Sequence, residues 1–514
     1  MRVRYGTSMR DILFGSTDAD EMYGYDGNDD LWGEAGNDLL YGGLGDDKLV
    51  GGEGADLLDG GDGTADLASY EDAKAGVYVR LDTGAGYTGA AAGDVLIGIE
   101  HLRGTIYADF LVGDGNFNRI EGGRGDDIVF GLGGIDLLYG GDGNDHIWGG
   151  TDWDYIYGGE GFDYVRFDYA SERVDVRLER PILTGTGGGW AGEAFGDSYW
   201  EIEGVVGSSF DDFIEGNSPV PGTTINANNV LIGLGGNDEI FGLGGDDTLY
   251  GGDGADMLDG GAGFDTARYE ESASAVYVSL EAGFGYTGPA LNDRLAGIEG
   301  LVGSNFGDTL IGDGGANALV GLDGNDLLRG RDGNDSIFGG KDNDVLEGGQ
   351  GGDWLDGELG FDVASYEHAA SSVAVDLGAG LGFGRGTLGE ALDDWLISIE
   401  SLVGSGHADT LTGDGADNVL RGGQGADTLA GGFGNDQFVF DRTDLFAERD
   451  IVTDFATMAG NTDALVFRGL AAGDIALTDG PTGVRISVLD PAFGGDILVL
   501  GVTSAQLSGH LLFM

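Results

Sequence analysis

A nine-residue period governs this chain. From Gly15 to Gly63 the sequence reads, in nines, GSTDADEMY, GYDGNDDLW, GEAGNDLLY, GGLGDDKLV and GGEGADLLD, then GGDG. Each nonapeptide opens with Gly, carries Asp at its sixth place (Asp20, Asp29, Asp38, Asp47, Asp56) and an apolar residue at its eighth (Met22, Leu31, Leu40, Leu49, Leu58). The first six residues fit neither a helix nor a regular strand, because their glycines supply positive φ and close backbone approach. The last three read as a short strand whose central side chain points to one side.

Two nonapeptides make one coil of turn, strand, turn, strand. Aspartates eighteen residues apart then stack on one edge, about 4.8 Å apart along the pairing direction. Carboxylates that close repel by roughly 1 kcal/mol per pair in water and by several at lower dielectric. The stack therefore calls for cations between its layers. Calcium suits it, as a hard ion that takes carboxylates and turn carbonyls together in flexible geometry.

The consensus GGxGxD, followed by x, a large apolar residue and x, resembles the RTX (haemolysin-type) calcium-binding repeat. The resemblance implies an all-β parallel β-roll with multiple bound Ca2+. The pattern recurs in five blocks, 1–70, 104–166, 207–268, 303–365 and 404–436, with 216–223 read as an insertion in the third. Beyond the first block the sixth-place residues are Asp109, Asp127, Asp136, Asp145, Asp154 and Asp163, then Asp212, Asp238, Asp247, Asp256 and Asp265. Asp308, Asp326, Asp335, Asp344, Asp353 and Asp362 follow, and Asp409, Asp427 and Asp436 end the series. These are the expected metal ligands. Interior carboxylates are shared between neighbouring sites, so on the order of 15–20 ions are expected. Asn takes the sixth place at Asn118, Asn229, Asn317 and Asn418; a neutral amide predicts a weak or starting metal column there. Block one lacks such a turn, so it is expected to hold the most continuous column.

The connectors 71–103, 167–206, 269–302 and 366–403 are themselves β-rich repeats. Each passes from an opening such as ASYEDA through an alternating strand (VYVRL, VDVRL, VYVSL, VAVDL) to an apolar close (IEHLRGT, IEGVVGS, IEGLVGS, IESLVGS). Tyr70, Phe167, Tyr269 and Tyr366 fall at equivalent places. The chain thus reads as a stack of long units and not as independent globules. After Asp436 the period stops. Residues 437–514 alternate as strands between turns, the pattern of an antiparallel β cap over the open edge of a solenoid.

The formal net charge is −67, which argues against nucleic acid or an anionic membrane as partner. There is no Cys, so disulfides do not stabilise the glycine-rich chain. The amino-terminal stretch lacks the apolar centre of a Sec signal, and no apolar run is long enough to span a membrane. The resemblance of the tail to the C-terminal region of bacterial RTX exoproteins implies extracellular localisation through the type I secretion machinery.

Signatures of chemistry fail. The five histidines (His101, His146, His368, His407, His510) never form H-E-x-x-H, and G-x-S-x-G is missing. Asp82-Thr83-Gly84 has no counterpart in the other connectors, and GAGYTG, GFGYTG and Arg124-Gly125-Asp126 are coincidences expected in so much Gly and Asp. No catalytic residue is assigned. The expected role is non-enzymatic, structural or adhesive. The alternative is an extracellular polysaccharide partner, bound or modified, because aromatics recur at the ninth place (Tyr23, Trp32, Tyr41, Tyr139, Trp148, Tyr157, Tyr250) and similar repeats accompany mannuronan epimerases.

Overall fold

The computed structural model describes residues 2–178, 187–219, 227–378, 383–445, 448–458, 461–489 and 495–514. The chain divides into two units, 1–265 and 266–514. In each, parallel strands eighteen residues apart pair in register and build two facing sheets. Met22 lies beside Leu40 and Leu40 beside Leu58 on one sheet, while Leu13, Leu31 and Leu49 line up on the other. Met22, Leu31, Leu40, Leu49 and Leu58 are fully buried. The eighth-place residue is therefore the core, one side chain per turn, and a roll this thin has no second apolar layer behind it.

The strands are longer than the three residues read from sequence. Many run six, such as Leu39–Leu44 and Leu137–Asp142. The ladder skips the first glycine of the next nonapeptide and resumes at its second and third places, where Tyr25 faces Gly43 and Gly43 faces Gly61. The second place has positive φ, +120° at Gly43 and +79° at Tyr25. The chain thus turns a corner in the left-handed region while keeping its pairing.

The connectors do not leave the roll. In the first, Val95–Ile97 pairs with Leu57–Asp59, His101–Arg103 sits between Leu67–Ser69 and Arg119–Arg124, and Tyr78–Arg80 pairs with Phe110–Val112. Val79 and Leu102 are fully buried and Leu96 nearly so, so each takes a core place. What distinguishes the connector is an antiparallel excursion, Ala85–Thr88 folding back on Tyr78–Arg80, followed by a single 3-10 turn at Gly89–Ala91. The same turn recurs at Gly192–Ala194, Gly288–Ala290 and Gly389–Ala391.

Across the insertion, Phe213–Glu215 pairs with Glu239–Phe241 at an offset of 26 residues, eight more than the usual 18. The roll closes beneath the added chain. Residues 220–223 of the insertion lie outside the described residues. At the C-terminal end, Gln437–Asp441 and Arg449–Val452 extend the two sheets in parallel. The antiparallel strands Ile475–Asp479, Gly483–Val488 and Asp496–Leu500 form the cap. Among the described residues no helix is long and apolar enough to cross a membrane.

Candidate metal sites along the turn edges

The sixth-place aspartates are buried, and all but Asp20 are locked by Oδ1. The Oδ1 of Asp29 accepts the backbone N–H of Asp11 at 2.7 Å, that of Asp47 the N–H of Asp29 at 2.7 Å, and that of Asp38 the N–H of Asp20 at 2.6 Å. The pattern holds through Asp127, Asp145 and Asp163 (2.8 Å each) and through Asp326, Asp344 and Asp362 (2.6, 2.8 and 2.8 Å). The expected stacks thus form, two columns per stretch of roll, one along each turn edge.

The second oxygen is left over. Oδ2 of Asp29, Asp38, Asp47 and Asp56 is buried without a hydrogen-bond donor, as are those of Asp127, Asp136, Asp145, Asp154 and Asp163. So are those of Asp238, Asp247, Asp326, Asp335, Asp344, Asp353, Asp362, Asp427 and Asp436. Orphaning a buried polar atom costs about 1–3 kcal/mol, and more for a charge. Burial first, and neighbouring carboxylates second, push Asp127, Asp136 and Asp427 up to about 8, and Asp238 and Asp326 up to about 7.

The cradle around these oxygens is made by the first-place glycine. A Cβ on Gly24 meets Asp29 Oδ2 and the carbonyl oxygen of Gly42; one on Gly140 meets Asp145 Oδ2 and the carbonyl of Gly158. The invariant Gly keeps this space clear, and it is lined by a carboxylate oxygen and a turn carbonyl. Such an all-oxygen donor set, poor in side chains and rich in backbone, suits a hard divalent cation. Among the described residues no three His, Asp or Glu side chains converge on one point, so a cation held here would take its donors mainly from turn backbone. A divalent cation held there would supply the positive charge between the layers; the chain supplies position and shape.

Not every aspartate has an oxygen to spare. The first turn after each connector places Asp109, Asp212, Asp308 and Asp409 beside Thr105, Ser208, Ser304 and Ser405, whose backbone N–H (2.5–2.6 Å) and hydroxyl donate to the carboxylate. Asp20 takes the Ser16 hydroxyl on Oδ2 at 2.8 Å but keeps a buried Oδ1 without a donor. The next turns carry the amides: Nδ2 of Asn118, Asn229 and Asn418 donates to the carbonyls of Glu100, Glu203 and Glu400 at 2.8, 3.0 and 3.3 Å. A protein N–H thus occupies the place beside the carbonyl. Block one opens with two hydroxyl turns, Thr7 on Asp11 and Ser16 on Asp20. Its carboxylates with a buried, unpartnered oxygen run through Asp20, Asp29, Asp38, Asp47, Asp56 and Asp66, six in succession, against five from Asp127 to Asp163 in block two and five from Asp326 to Asp362 in block four.

Reading by period missed several members. Asp66, one residue out of phase, accepts the Asp47 N–H at 2.7 Å and keeps a buried, unpartnered Oδ2. The connectors contribute Asp94, Asp197 and Asp394, which accept the N–H groups of Asp56, Asp154 and Asp353, and Glu100, Glu203 and Glu400, which accept those of Asp66, Asp163 and Asp362. The tail adds Asp450 and Asp463. The signal for the glutamates lay in the repeated Ile-Glu pair that opens each connector's close (IEHL, IEGV, IEGL, IESL).

Outside the columns, the ninth-place aromatics stack on the sheet faces. Tyr5, Tyr23 and Tyr41 follow at 5.6 and 5.0 Å, Tyr139 and Tyr157 at 4.9 Å, and Tyr157 and Trp200 at 4.3 Å with planes 7° apart. Each inner ring spends its faces on its neighbours and offers solvent its edge. Arg124, Gly125 and Asp126 serve the turn: Arg124 pairs with Asp142 at 3.0 Å, and Asp126 accepts the Asn144 N–H.

Register, core and columns together define a parallel β-roll whose turn edges are lined with carboxylates lacking counter-charge. The RTX calcium-binding nonapeptide repeat matches residues 5–40, 32–64, 103–138, 130–165, 227–267, 302–337, 329–364 and 403–438, more than half of the chain. This chain belongs to that family and is a Ca2+-binding β-roll protein. None of the curated proteins matches it.

Proposed function

We propose that this protein is a secreted, non-enzymatic β-roll that folds when it meets extracellular Ca2+ and serves a structural or adhesive role at the bacterial surface. The supporting observation is the series of buried Oδ2 atoms without donors. Without cations, each coil buries carboxylates against a core one side chain thick. Charge repulsion in a chain of net charge −67 then outweighs burial, and the repeats stay extended where calcium is scarce. Where calcium is abundant, ion binding and folding are one event. Ions on the order of 15–20 would offset roughly half of that charge. Export through a type I system, directed by residues 437–514, fits a chain that stays unfolded until it leaves the cell. The edge-on stacking of the aromatics favours their role as sheet stiffeners over a sugar platform.

Circular dichroism tests this reading. A disordered spectrum in EGTA that becomes β on adding millimolar calcium is expected, and a β spectrum that persists unchanged in chelator sinks it. Expression in a type I-competent host, with and without residues 437–514, tests export: both forms remaining in the cell refutes it.

A further inference from the structure

The connectors contain a buried arrangement that the repeats lack. The carboxylates of Asp94, Asp197 and Asp394 each give Oδ1 to the aspartate N–H one coil earlier, at 2.8, 2.9 and 3.0 Å. In a repeat turn the other oxygen is left for a cation. Here it accepts a tyrosine hydroxyl: Tyr70 on Asp94 at 3.1 Å, Tyr199 on Asp197 at 3.2 Å and Tyr366 on Asp394 at 2.8 Å, with Tyr269 on Asp293 at 3.1 Å completing the set. All four rings are buried.

The second connector obtains its hydroxyl from a different place. Tyr70, Phe167, Tyr269 and Tyr366 are structural equivalents, each donating its backbone N–H to the carbonyl of Arg103, Val206, Val302 or Val403. Phe167 carries no hydroxyl. In that connector alone, the residue two positions after the carboxylate is a tyrosine, Tyr199, where the others have Leu96, Leu295 and Leu396. Its hydroxyl reaches the equivalent Oδ2, that of Asp197. A ring needed only for packing gains nothing from this exchange; a required donor explains it.

We propose that the tyrosine hydroxyl stands in for a calcium ion on the connector carboxylate, so that each connector holds a metal-free stop and the ions form short separate strings. The strings open where Ser, Thr or Asn supplies the donor, and one column in each of the four stretches that precede a connector closes on the Tyr–Asp pair. This rests on the calcium reading above and assigns Asp94, Asp197, Asp293 and Asp394 to the chain's own hydrogen bonding instead of to metal.

The test counts calcium in the refolded, desalted full chain by elemental analysis. Asp56→Asn is expected to lower the count by at least one ion, and Asp94→Asn to leave it unchanged. An equal loss from both variants overturns the proposal while sustaining the calcium reading. A wild-type chain that holds no calcium removes that reading, and the proposal with it. A second arm follows calcium-driven folding by circular dichroism. Tyr199→Phe should raise the calcium midpoint several-fold, and the double variant Phe167→Tyr with Tyr199→Phe should restore it, since the hydroxyl returns from the other position. A double variant as impaired as the single one overturns the proposal.

Discussion

Asp56 and Asp94 are neighbours in one column, and they differ in a single contact. Each lends Oδ1 to an N–H one coil earlier. Asp56 then buries an oxygen with no donor, whereas Asp94 turns its own toward Tyr70. The repeat turn leaves one carboxylate oxygen without a partner, and the connector turn satisfies both of its own. The same backbone scaffold thus yields an ion-dependent element or an ion-independent one according to whether one hydroxyl is at hand. Regular repetition makes the unpartnered carboxylate oxygens, and departures from it determine where their series stop.

The largest expected effect comes from pH, and it is shared, since burial raises the connector carboxylates Asp94 and Asp394 to about 7 and 8 as well. In the calcium-free roll the repeat carboxylates are raised from their ordinary value, Asp56 and Asp145 to about 6 and Asp127 and Asp136 to about 8, chiefly by burial. A raised carboxyl stabilises the fold below its unfolded value near 3.8, and that stabilisation is lost as pH rises through 6–8. In chelator, residual β structure should therefore be greatest below about pH 4, decline as pH rises above that value and vanish toward pH 8. With calcium the sign reverses, because the ion displaces those protons. The calcium midpoint should fall on the order of tenfold between pH 6 and 8. Titration by circular dichroism at both values checks this, and parallel trends with and without calcium refute it.

Core packing comes next and should not distinguish repeat from connector. Leu138 is fully buried in a repeat and Leu102 in a connector. Either one changed to Ala should cost about 2–5 kcal/mol in calcium-saturated urea melts. Smaller, and specific to the repeat, is Gly140→Ala, whose Cβ meets Asp145 Oδ2 and the Gly158 carbonyl. A loss of about 1–3 kcal/mol is expected, together with a raised calcium midpoint. Gly115→Ala should change neither quantity, since nothing lies within 4 Å of a Cβ there. Equal effects at Gly140 and Gly115 would show that the cradle does not matter.

Period, core and the carboxylate columns were legible because each is stated in the sequence many times in phase. Asp66 was not, because one added residue moves it from its ninth-residue beat while the turn absorbs the slip and the carboxylate still reaches Asp47. Asp94 and its equivalents Asp197 and Asp394 occur once per long unit, so no nine-residue beat announces them, and their partners lie 38 to 43 residues away. The Ser and Thr of the opening turns were visible as GT and GS. Their effect on Asp109 or Asp409 depends on a hydroxyl and an N–H converging on one carboxylate, which spacing alone does not reveal. The longer strands were hidden by glycine, whose freedom permits either a break or, as found, a corner with its pairing intact.

The exchange between Phe167 and Tyr199 also bears on how such a chain can be rearranged. Arrays of near-identical units lengthen and shorten by recombination between copies, which is harmless only where any front half fits any back half. A crossover inside the second connector, joining the half with Phe167 to a half carrying Leu96, Leu295 or Leu396, leaves its carboxylate without a hydroxyl. The reciprocal product sets two hydroxyls on one oxygen. The second unit can be inherited whole but not in halves, while the other three can trade halves freely.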